Sequence, residues 1–441
     1  MNINTDHRSN LLIKNVIVSF LVKGWSALVV LLMVPLTLKM LGIYNNGVWL
    51  TISSVIVWID LMDFGLGNGL RNTVAVYLAI GNTKKVREAV SSTFLMLTGI
   101  ALPLLLILYV AIWQLDIYDF FGVDRLRIGD FAKILTTAVT LISGTFILKA
   151  TGNFYMGMQL PAINNLIICI GQTAVLLLTF IAYLLSSHSL LVVALISTGA
   201  PLGVWFISMV YTFGVKYPEY RPSMSYFNTS LAKDLFSKGV QFFVIQICGV
   251  ILFMSTNIII SKMFSPSEVT PYQVAYRYFT LVIVAFTTMC MPFWNATTDA
   301  YARNDIQWIR QAGRKLNLLL CGCCLALVLM VLLSNNVYQI WVGNEIVIPI
   351  DLSASIALYV FIQILSLRYS YILNGLNILR IQLLFIIPAT IVFFPLVWYT
   401  CNTLGTITSL VWVMCIINTP GLIANAWKYY RLINTANTGE R

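Results

Sequence analysis

Six basic residues lie within stretches of the sequence that are otherwise apolar and long enough to cross a membrane: Lys23, Lys133, Lys149, Lys238, Arg277 and Arg368. A cation at the centre of a bilayer costs about 2.5 to 3.5 kcal/mol on insertion scales, so each must face water, a partner or the bilayer edge. Arginine and lysine are also the usual ligands of phosphate groups. The set therefore predicts either a path for an anionic ligand or a group of structural contacts. Lys133, near an outer end, is expected to snorkel to the surface.

Depth within the predicted spans distinguishes the remaining five residues. Lys23 lies about eight residues into the first span, which is roughly 12 Å at 1.5 Å per residue. Arg277 lies about six residues from the outer end of its span, whereas Lys149 and Arg368 lie within about one turn of inner ends. We expect these four side chains to face a cavity and bind substrate, with structural pairing or snorkelling as the alternative. Lys238, about one turn into its span, is a less secure fifth candidate.

Acidic residues are scarce within the apolar stretches. Asp60 and Asp63 are three positions apart, so they lie on one face of the second predicted span. They could pair with Lys23 or Arg71, bind a proton or sodium ion that couples transport to a gradient, or contact a helix end. In each case cations outnumber carboxylates, and a positive interior favours an anionic substrate carrying phosphate or diphosphate.

The elements that position these residues follow from composition. The chain has 441 residues, of which 59% are hydrophobic and only 10% charged, which excludes a soluble globular protein because soluble domains carry about 25% charged residues. A membrane-spanning helix needs roughly 20 apolar residues. Twelve such spans are predicted near residues 15–38, 47–69, 90–113, 131–152, 162–185, 190–213, 235–261, 271–297, 315–334, 349–373, 379–400 and 404–427. Because the runs are apolar on every face, the predicted fold class is all-α rather than a barrel.

The basic residues in the connections predict the orientation in the membrane. Of 27 Lys and Arg residues, six lie in the spans and four in outer connections, which are Lys39, Arg125, Arg127 and Lys262. The remaining seventeen lie in inner connections and termini, so both termini are predicted to be cytoplasmic. The first span follows Arg8 and Lys14 like a signal peptide, but no small-residue cleavage site follows it, and we expect it to be retained.

The chain is predicted to divide into two six-helix bundles, residues 1–213 and 235–441, joined by a cytoplasmic linker at 214–234. Lys23-Gly24 matches Lys238-Gly239, and Leu148-Lys149 matches Leu367-Arg368, each with an offset near half the chain. An even number of spans in each half gives the copies one orientation, related by an axis along the membrane normal. Two parallel halves are typical of a transporter.

No pattern in the sequence predicts catalysis or a bound metal. Histidine occurs only as His7 and His188, and the eight cysteines lie in or beside apolar spans. We therefore expect no enzyme activity, no metal site, and no cofactor other than a possible coupling ion, H⁺ or Na⁺.

The glycine-rich segment of the second span is the most specific motif. The run Trp49-Leu-Thr-Ile-Ser-Ser followed by Asp60-Leu-Met-Asp63-Phe-Gly-Leu-Gly-Asn-Gly-Leu-Arg71-Asn72 resembles the second helix of bacterial O-antigen and polysaccharide flippases. Upstream, Lys23-Gly24, Val34-Pro35-Leu36 and Leu41-Gly42 resemble the first helix of that family. Downstream, the run from Leu373 to Asn377 and the triplet Arg380-Ile381-Gln382 are similar to its tenth-to-eleventh helix connection.

This resemblance implies the fold of the multidrug/oligosaccharidyl-lipid/polysaccharide exporter superfamily, with two six-helix bundles around a central cavity. It also implies the substrate, an oligosaccharide on polyprenyl diphosphate, moved from the cytoplasmic to the periplasmic leaflet of the bacterial inner membrane. The cavity of that family is cationic, and the resemblance implies that Lys23, Lys149, Arg277 and Arg368 line it here. Lys238 is a less secure member of this set.

Several alternatives stay open at the level of sequence. A drug or metabolite exporter of the same superfamily, coupled to protons or sodium, is the main competing function. A channel or a scaffold within an envelope complex is a third. The polysaccharide could be O-antigen, capsule or exopolysaccharide, and partners could include a polymerase and chain-length machinery, although the outer connections are too short to predict contacts with them.

Overall fold

The computed structural model describes residues 3–233, 247–302, 305–376 and 380–438, with the side chains of residues 1–20, Lys23, Asp60 and some others left undescribed. Within these ranges the regular elements are helices joined by short connections, and none of the described residues forms a β-strand. The helices up to residue 263 are α1 Ile3–Leu61, α2 Leu66–Ala79, α3 Thr83–Gln114, α4 Ile117–Phe121, α5 Phe131–Leu148, α6 Ala150–Gly157, α7 Pro161–Leu184, α8 Leu190–Tyr211 and α9 Thr256–Met263. The later helices are α10 Pro266–Ala302, α11 Ile306–Val342, α12 Ile350–Gly375, α13 Arg380–Leu404 and α14 Ile407–Thr438.

Ten helical segments in the described part of the chain are long and apolar enough to cross a membrane. Helix α1 covers the first predicted span and most of the second, up to Leu61, because the chain kinks at Gly42 with φ 71° and ψ 173° and continues as helix on both sides. The seventh predicted span falls partly on undescribed residues, and a shorter apolar helix covers Ile247–Met263. The prediction of an all-α, multi-pass membrane protein is confirmed.

The outward faces of the helices carry large apolar side chains, as expected for a protein in a membrane. On α3, Leu102, Leu106, Ile107 and Val110 have between 56% and 65% of their surface exposed. Soluble monomers rarely present such contiguous apolar surface. Hydrocarbon chains are therefore the expected neighbours of this face.

The helices form two compact units, Met1–Val250 with Asn257–Ser267, and Ile251–Thr256 with Glu268–Arg441. Helix α9 packs in the first unit, where Asn257 Nδ2 donates to the Leu50 carbonyl at 3.1 Å and Ser261 Oγ donates to the Phe121 carbonyl at 2.6 Å. The predicted boundary at residue 235 lies outside the described residues, so the division at 213 and 235 stays a prediction.

The predicted linker, residues 214–234, packs on the first unit where the structure describes it. The buried Glu88 carboxylate on α3 accepts a hydrogen bond from Asn228 Nδ2 at 2.8 Å. Arg87 Nε, also on α3, donates to the Arg221 carbonyl at 3.0 Å. These contacts fix the first part of the segment to the start of α3.

Helix α6 packs closely on its neighbours through glycine. A Cβ added at Gly152 would overlap the Asn164 side chain on α7 and lie 2.7 Å from Trp205 Cη2 on α8. We expect Gly152→Ala to lower the free energy of unfolding by about 1 to 3 kcal/mol, because a close-packed interior must shift to admit the methyl group. Thermal unfolding in detergent measures it. Gly99→Ala on α3, where a Cβ would meet nothing within 4 Å, is the matched control, and an equal loss in both variants would contradict this account.

Candidate functional site

A break in the second predicted span places a carboxylate at the start of α2. Helix α1 ends at Leu61 and α2 begins at Leu66, and between them Phe64 and Gly65 adopt φ values of 50° and 71°. Asp63 Oδ1 accepts from the Gly65 N–H at 2.9 Å and Asp63 Oδ2 accepts from the Gly67 N–H at 3.1 Å. Asp63 therefore caps α2, where a carboxylate also complements the positive end of the helix dipole.

The glycine-rich motif brings α2 against α6. A Cβ added at Gly67 would overlap Asn153 Nδ2 and lie 2.9 Å from Asp63 Oδ2. Asn153 is one turn after Lys149, and its N–H bonds to the Lys149 carbonyl at 3.3 Å. Since residues four apart share a helix face, Lys149, Asn153 and Asp63 belong to one polar region within an otherwise apolar unit.

Lys149 lies at the junction between α5 and α6, with its side chain partly buried. Arg71, on α2, is exposed and forms no ion pair with Asp63 in the described structure. The side chains of Asp60 and Lys23 lie outside the description, and so does the whole of Lys238. Pairing of Asp60 with Lys23 therefore stays a prediction.

The cap made by Asp63 leads to a stability prediction. In Asp63→Asn the side chain keeps one carbonyl oxygen, so one of the N–H groups of Gly65 and Gly67 loses its acceptor, which costs about 1 to 3 kcal/mol when the donor is buried. We expect a corresponding fall in thermal stability. Asp130→Asn is the control, since Asp130 makes only an exposed ion pair with Lys133 at 3.0 Å and such pairs contribute little. Unchanged stability in Asp63→Asn would contradict the capping role and favour ion coupling instead.

Arg368 is the most unusual side chain of the second unit. It lies on α12 and is 1% exposed. Its Nη2 donates to the Gly313 carbonyl on α11 at 3.4 Å, whereas Nε and Nη1 have no hydrogen-bond partner. The guanidinium carbon lies 4.2 Å from the ring centre of Tyr369 and 4.8 Å from that of Tyr429 on α14. A buried cation is thus held by two aromatic rings and one carbonyl, with free donors.

The close approach of α11 and α14 leaves little room around this guanidinium. A Cβ added at Gly313 would overlap the Tyr429 hydroxyl and lie 3.6 Å from Arg368 Nη2. Glycine at this position therefore allows Tyr429 and Arg368 to occupy the space beside α11 together.

Arg125, Arg127 and Lys262, in the outer connections, have carboxylate partners, unlike Arg368. Arg125 pairs with Asp116 at 2.8 Å and Lys262 with Asp119 at 2.9 Å. The Arg125 guanidinium, by donating to the Asp116 carboxylate, holds the pKa of that carboxyl below its usual value. Lys133 is exposed and paired. Charge pairing is therefore available in this protein, and Arg368 lacks it within the described residues.

Arg277 lies beside a group of tyrosines in the second unit. It is partly buried on α10 and comes eleven residues after Pro266, which is about 16 Å along the helix. The rings of Tyr272 and Tyr276 stack at 5.9 Å with 9° between their planes, and Tyr359 lies 6.5 Å from Tyr276. Helix α10 begins five residues before the predicted span at 271–297, and the depth of Arg277 in the membrane stays a prediction.

Lys149 and Arg368 occupy matching places in the two units. Each lies on the fourth predicted span of its half, Lys149 eight residues before the end of α6 at Gly157 and Arg368 seven before the end of α12 at Gly375. At 1.5 Å per residue both are about 10 to 12 Å from the helix end. Both helices thus continue beyond the ends of their predicted spans, at residues 152 and 373, and the depth of these two cations in the membrane stays a prediction.

Two residues of the candidate site, Asn153 and Tyr429, were not predicted from the sequence. Asn153 could have been found from its four-residue spacing to Lys149. Tyr429 has no local signal, since it lies 61 positions after Arg368 in the sequence and only tertiary packing brings it there. Tyr369, which follows Arg368 directly in the sequence, also contacts it.

Comparison with known proteins identifies relatives over most of the chain. No family model matches. A protein of Salmonella typhi, provisionally named an O-antigen transporter, is 24% identical over 400 residues, which cover 88% of this chain and 89% of that protein. A protein of the same name from Salmonella typhimurium is 21% identical over 395 residues, covering 83% of this chain and 84% of its own length.

Solved structures show the same fold. An inward-facing multidrug resistance MATE family transporter of the MOP superfamily matches with a TM-score of 0.74 and 17% identity, covering 96% of both chains. A MOP superfamily transporter from Pyrococcus furiosus matches with a TM-score of 0.67 and 14% identity, again over 96% of both chains. The predicted fold is confirmed, and so is the resemblance to bacterial polysaccharide flippases.

Proposed function

We propose that this chain, a membrane transporter of the MOP superfamily, moves oligosaccharide linked to polyprenyl diphosphate from the cytoplasmic to the periplasmic leaflet of the bacterial inner membrane. The observation that carries the proposal is the buried guanidinium of Arg368, which finds no carboxylate partner among the described residues and has two nitrogens without an acceptor there. The names of the Salmonella relatives support the class of substrate.

A buried cation without a counter-ion is costly, so its retention needs a reason. A diphosphate provides oxygen acceptors for both free nitrogens, and the planar guanidinium matches phosphate geometry. Tyr369 and Tyr429, which flank the group, also offer ring faces on which sugars can pack. An organic cation would meet repulsion at the same place.

The mechanism is alternating access without chemical change. The diphosphate enters from the inner leaflet and binds Lys23, Lys149 and Arg368, with Arg277 and Lys238 as further cationic contacts. The sugars occupy the cationic cavity, the lipid tail stays in the bilayer, and the two halves then rock to open outward. Asp60 and Asp63 are the candidates for coupling to H⁺ or Na⁺, and Arg71 for pairing with them. Both termini are cytoplasmic in this proposal, as the basic connections predict.

A deletion strain tests the proposed substrate. We expect lipid-linked oligosaccharide to accumulate on the cytoplasmic leaflet and surface polysaccharide to disappear, while sensitivity to toxic organic cations stays unchanged. Wild-type protein expressed in trans should restore the glycan. Altered drug sensitivity with normal glycan would replace this proposal with a multidrug or metabolite exporter.

A further inference from the structure

An apolar groove of about 650 Å³ runs between α10 and α11 within the second unit. Leu281 and Met289 line it from α10, and Leu318, Gly322 and Met330 line it from α11. Leu318 is 77% exposed and Met289 is 55% exposed. The groove is therefore open along one side, with exposed apolar side chains on both of its walls.

The lining residues define a long, narrow site. On α11 they recur three or four positions apart from Lys315 to Met330, so they share one helix face. Fifteen residues correspond to about 22 Å along the helix axis. A site of this length, with apolar side chains on both walls, fits an extended hydrocarbon chain better than a compact ligand.

Glycine makes the groove deep at one point. A Cβ added at Gly322 would meet nothing within 4 Å, and Gly322 lies among the lining residues near the middle of the groove on α11. The absence of a side chain at Gly322 thus leaves space in the middle of the groove that a ligand can fill.

A single cation marks one end of the groove. Lys315 is the lining residue closest to the start of α11 at Ile306, on the side predicted to be cytoplasmic. It is exposed and forms no ion pair with any described residue. Arg314 adjoins it in sequence. Basic residues beside grooves between membrane helices on the cytoplasmic side attract anionic lipid headgroups.

We propose that the groove between α10 and α11 binds one acyl chain of an anionic membrane phospholipid, whose phosphate pairs with Lys315. Charge complementarity selects the occupant, since a single ammonium matches a phosphodiester carrying one negative charge. The chain follows the groove past Gly322 toward Met330. The site differs from the one at Arg368 and does not depend on the proposed substrate.

Thermal unfolding of the full-length protein in neutral detergent tests the site. Added phosphatidylglycerol should raise the midpoint by several degrees and phosphatidylethanolamine should not, because only a ligand that binds the folded state stabilises it. In Lys315→Gln the apparent affinity for phosphatidylglycerol should fall about fivefold, as expected for one lysine near an anionic headgroup. Arg314→Gln, the neighbour outside the groove, is the control and should keep at least most of the affinity.

Filling the groove tests where the chain binds. Gly322→Leu should abolish the stabilisation by phosphatidylglycerol, whereas Gly203→Leu on α8, which also has open space around it, should keep it. If Gly322→Leu does not fold, Ala285→Leu on the opposite wall serves the same purpose. Equal stabilisation by phosphatidylethanolamine, full stabilisation of the filled variants, or a response to polyprenyl phosphate alone would each overturn the proposal.

Discussion

Replacing Arg368 by methionine is expected to abolish transport while leaving the protein at least as stable as the wild type. The guanidinium is 1% exposed, and within the described part of the chain it has no carboxylate partner and no acceptor for Nε and Nη1. Replacing buried ionic groups by apolar side chains of similar volume is often neutral or stabilising. Removing one partner of a buried charge contact with a substrate phosphate, by contrast, costs about 2 to 5 kcal/mol. Because each 1.4 kcal/mol corresponds to a tenfold change in affinity, a loss of about 2 kcal/mol should lower the transport rate by at least about 25-fold.

The measurement pairs surface glycan with the thermal unfolding midpoint and the amount of protein in the membrane. Arg368→Lys is the conservative control, and it should keep part of the activity because the charge remains while the planar stacking on Tyr369 and Tyr429 is lost. A purely structural Arg368 would give the reverse pattern, with Arg368→Met unstable and its residual protein fully active.

Replacing Lys149 by alanine is expected to reduce transport by about tenfold or more, with a small effect on stability. The residue lies two turns from the end of α6, on the same face as Asn153 and in the same polar region as the cap made by Asp63. A charge-assisted hydrogen bond to a phosphate contributes about 1.5 to 3 kcal/mol, which corresponds to that reduction.

Lys133→Ala provides the matched control for this prediction. Lys133 lies near the start of α5 on the same span, but it is exposed and paired with Asp130 at 3.0 Å. Its removal should leave surface glycan unchanged, because exposed ion pairs contribute little. Equal losses from Lys133→Ala and Lys149→Ala would show that charge at the unit's surface, rather than a site at Lys149, matters.

The fold was largely predictable because long apolar runs with basic connections allow few alternatives. The ends of the helices could not be predicted as well, because polar residues can continue a helix beyond its apolar part. Pro266, for example, begins α10 five residues before the predicted span. The first predicted span and most of the second belong to one continuous helical element, because the chain remains helical on both sides of the kink at Gly42.

The candidate site was predictable only as a set of cations. Sequence identified Arg368 and Lys149 because a charge in an apolar run is conspicuous. The lack of a partner for Arg368 could not be predicted, because pairing depends on which helices pack together. The same holds for Tyr429, which reaches Arg368 only through the close approach of α14 to Gly313 on α11. Asp63 was expected to pair, to bind an ion or to contact a helix end, and which of these applies could not be predicted because its capping role depends on the backbone turn at Phe64 and Gly65.

The most direct test of the central claim is transport by the purified protein in phospholipid vesicles. Fluorescent oligosaccharide on polyprenyl diphosphate is incorporated into both leaflets, and a membrane-impermeant glycosidase is added outside. The wild-type protein should make the inner-leaflet pool accessible to the glycosidase, and vesicles with Arg368→Met should resemble vesicles without protein. No increase in accessibility with the folded wild-type protein, or an equal increase with Arg368→Met, would contradict the account.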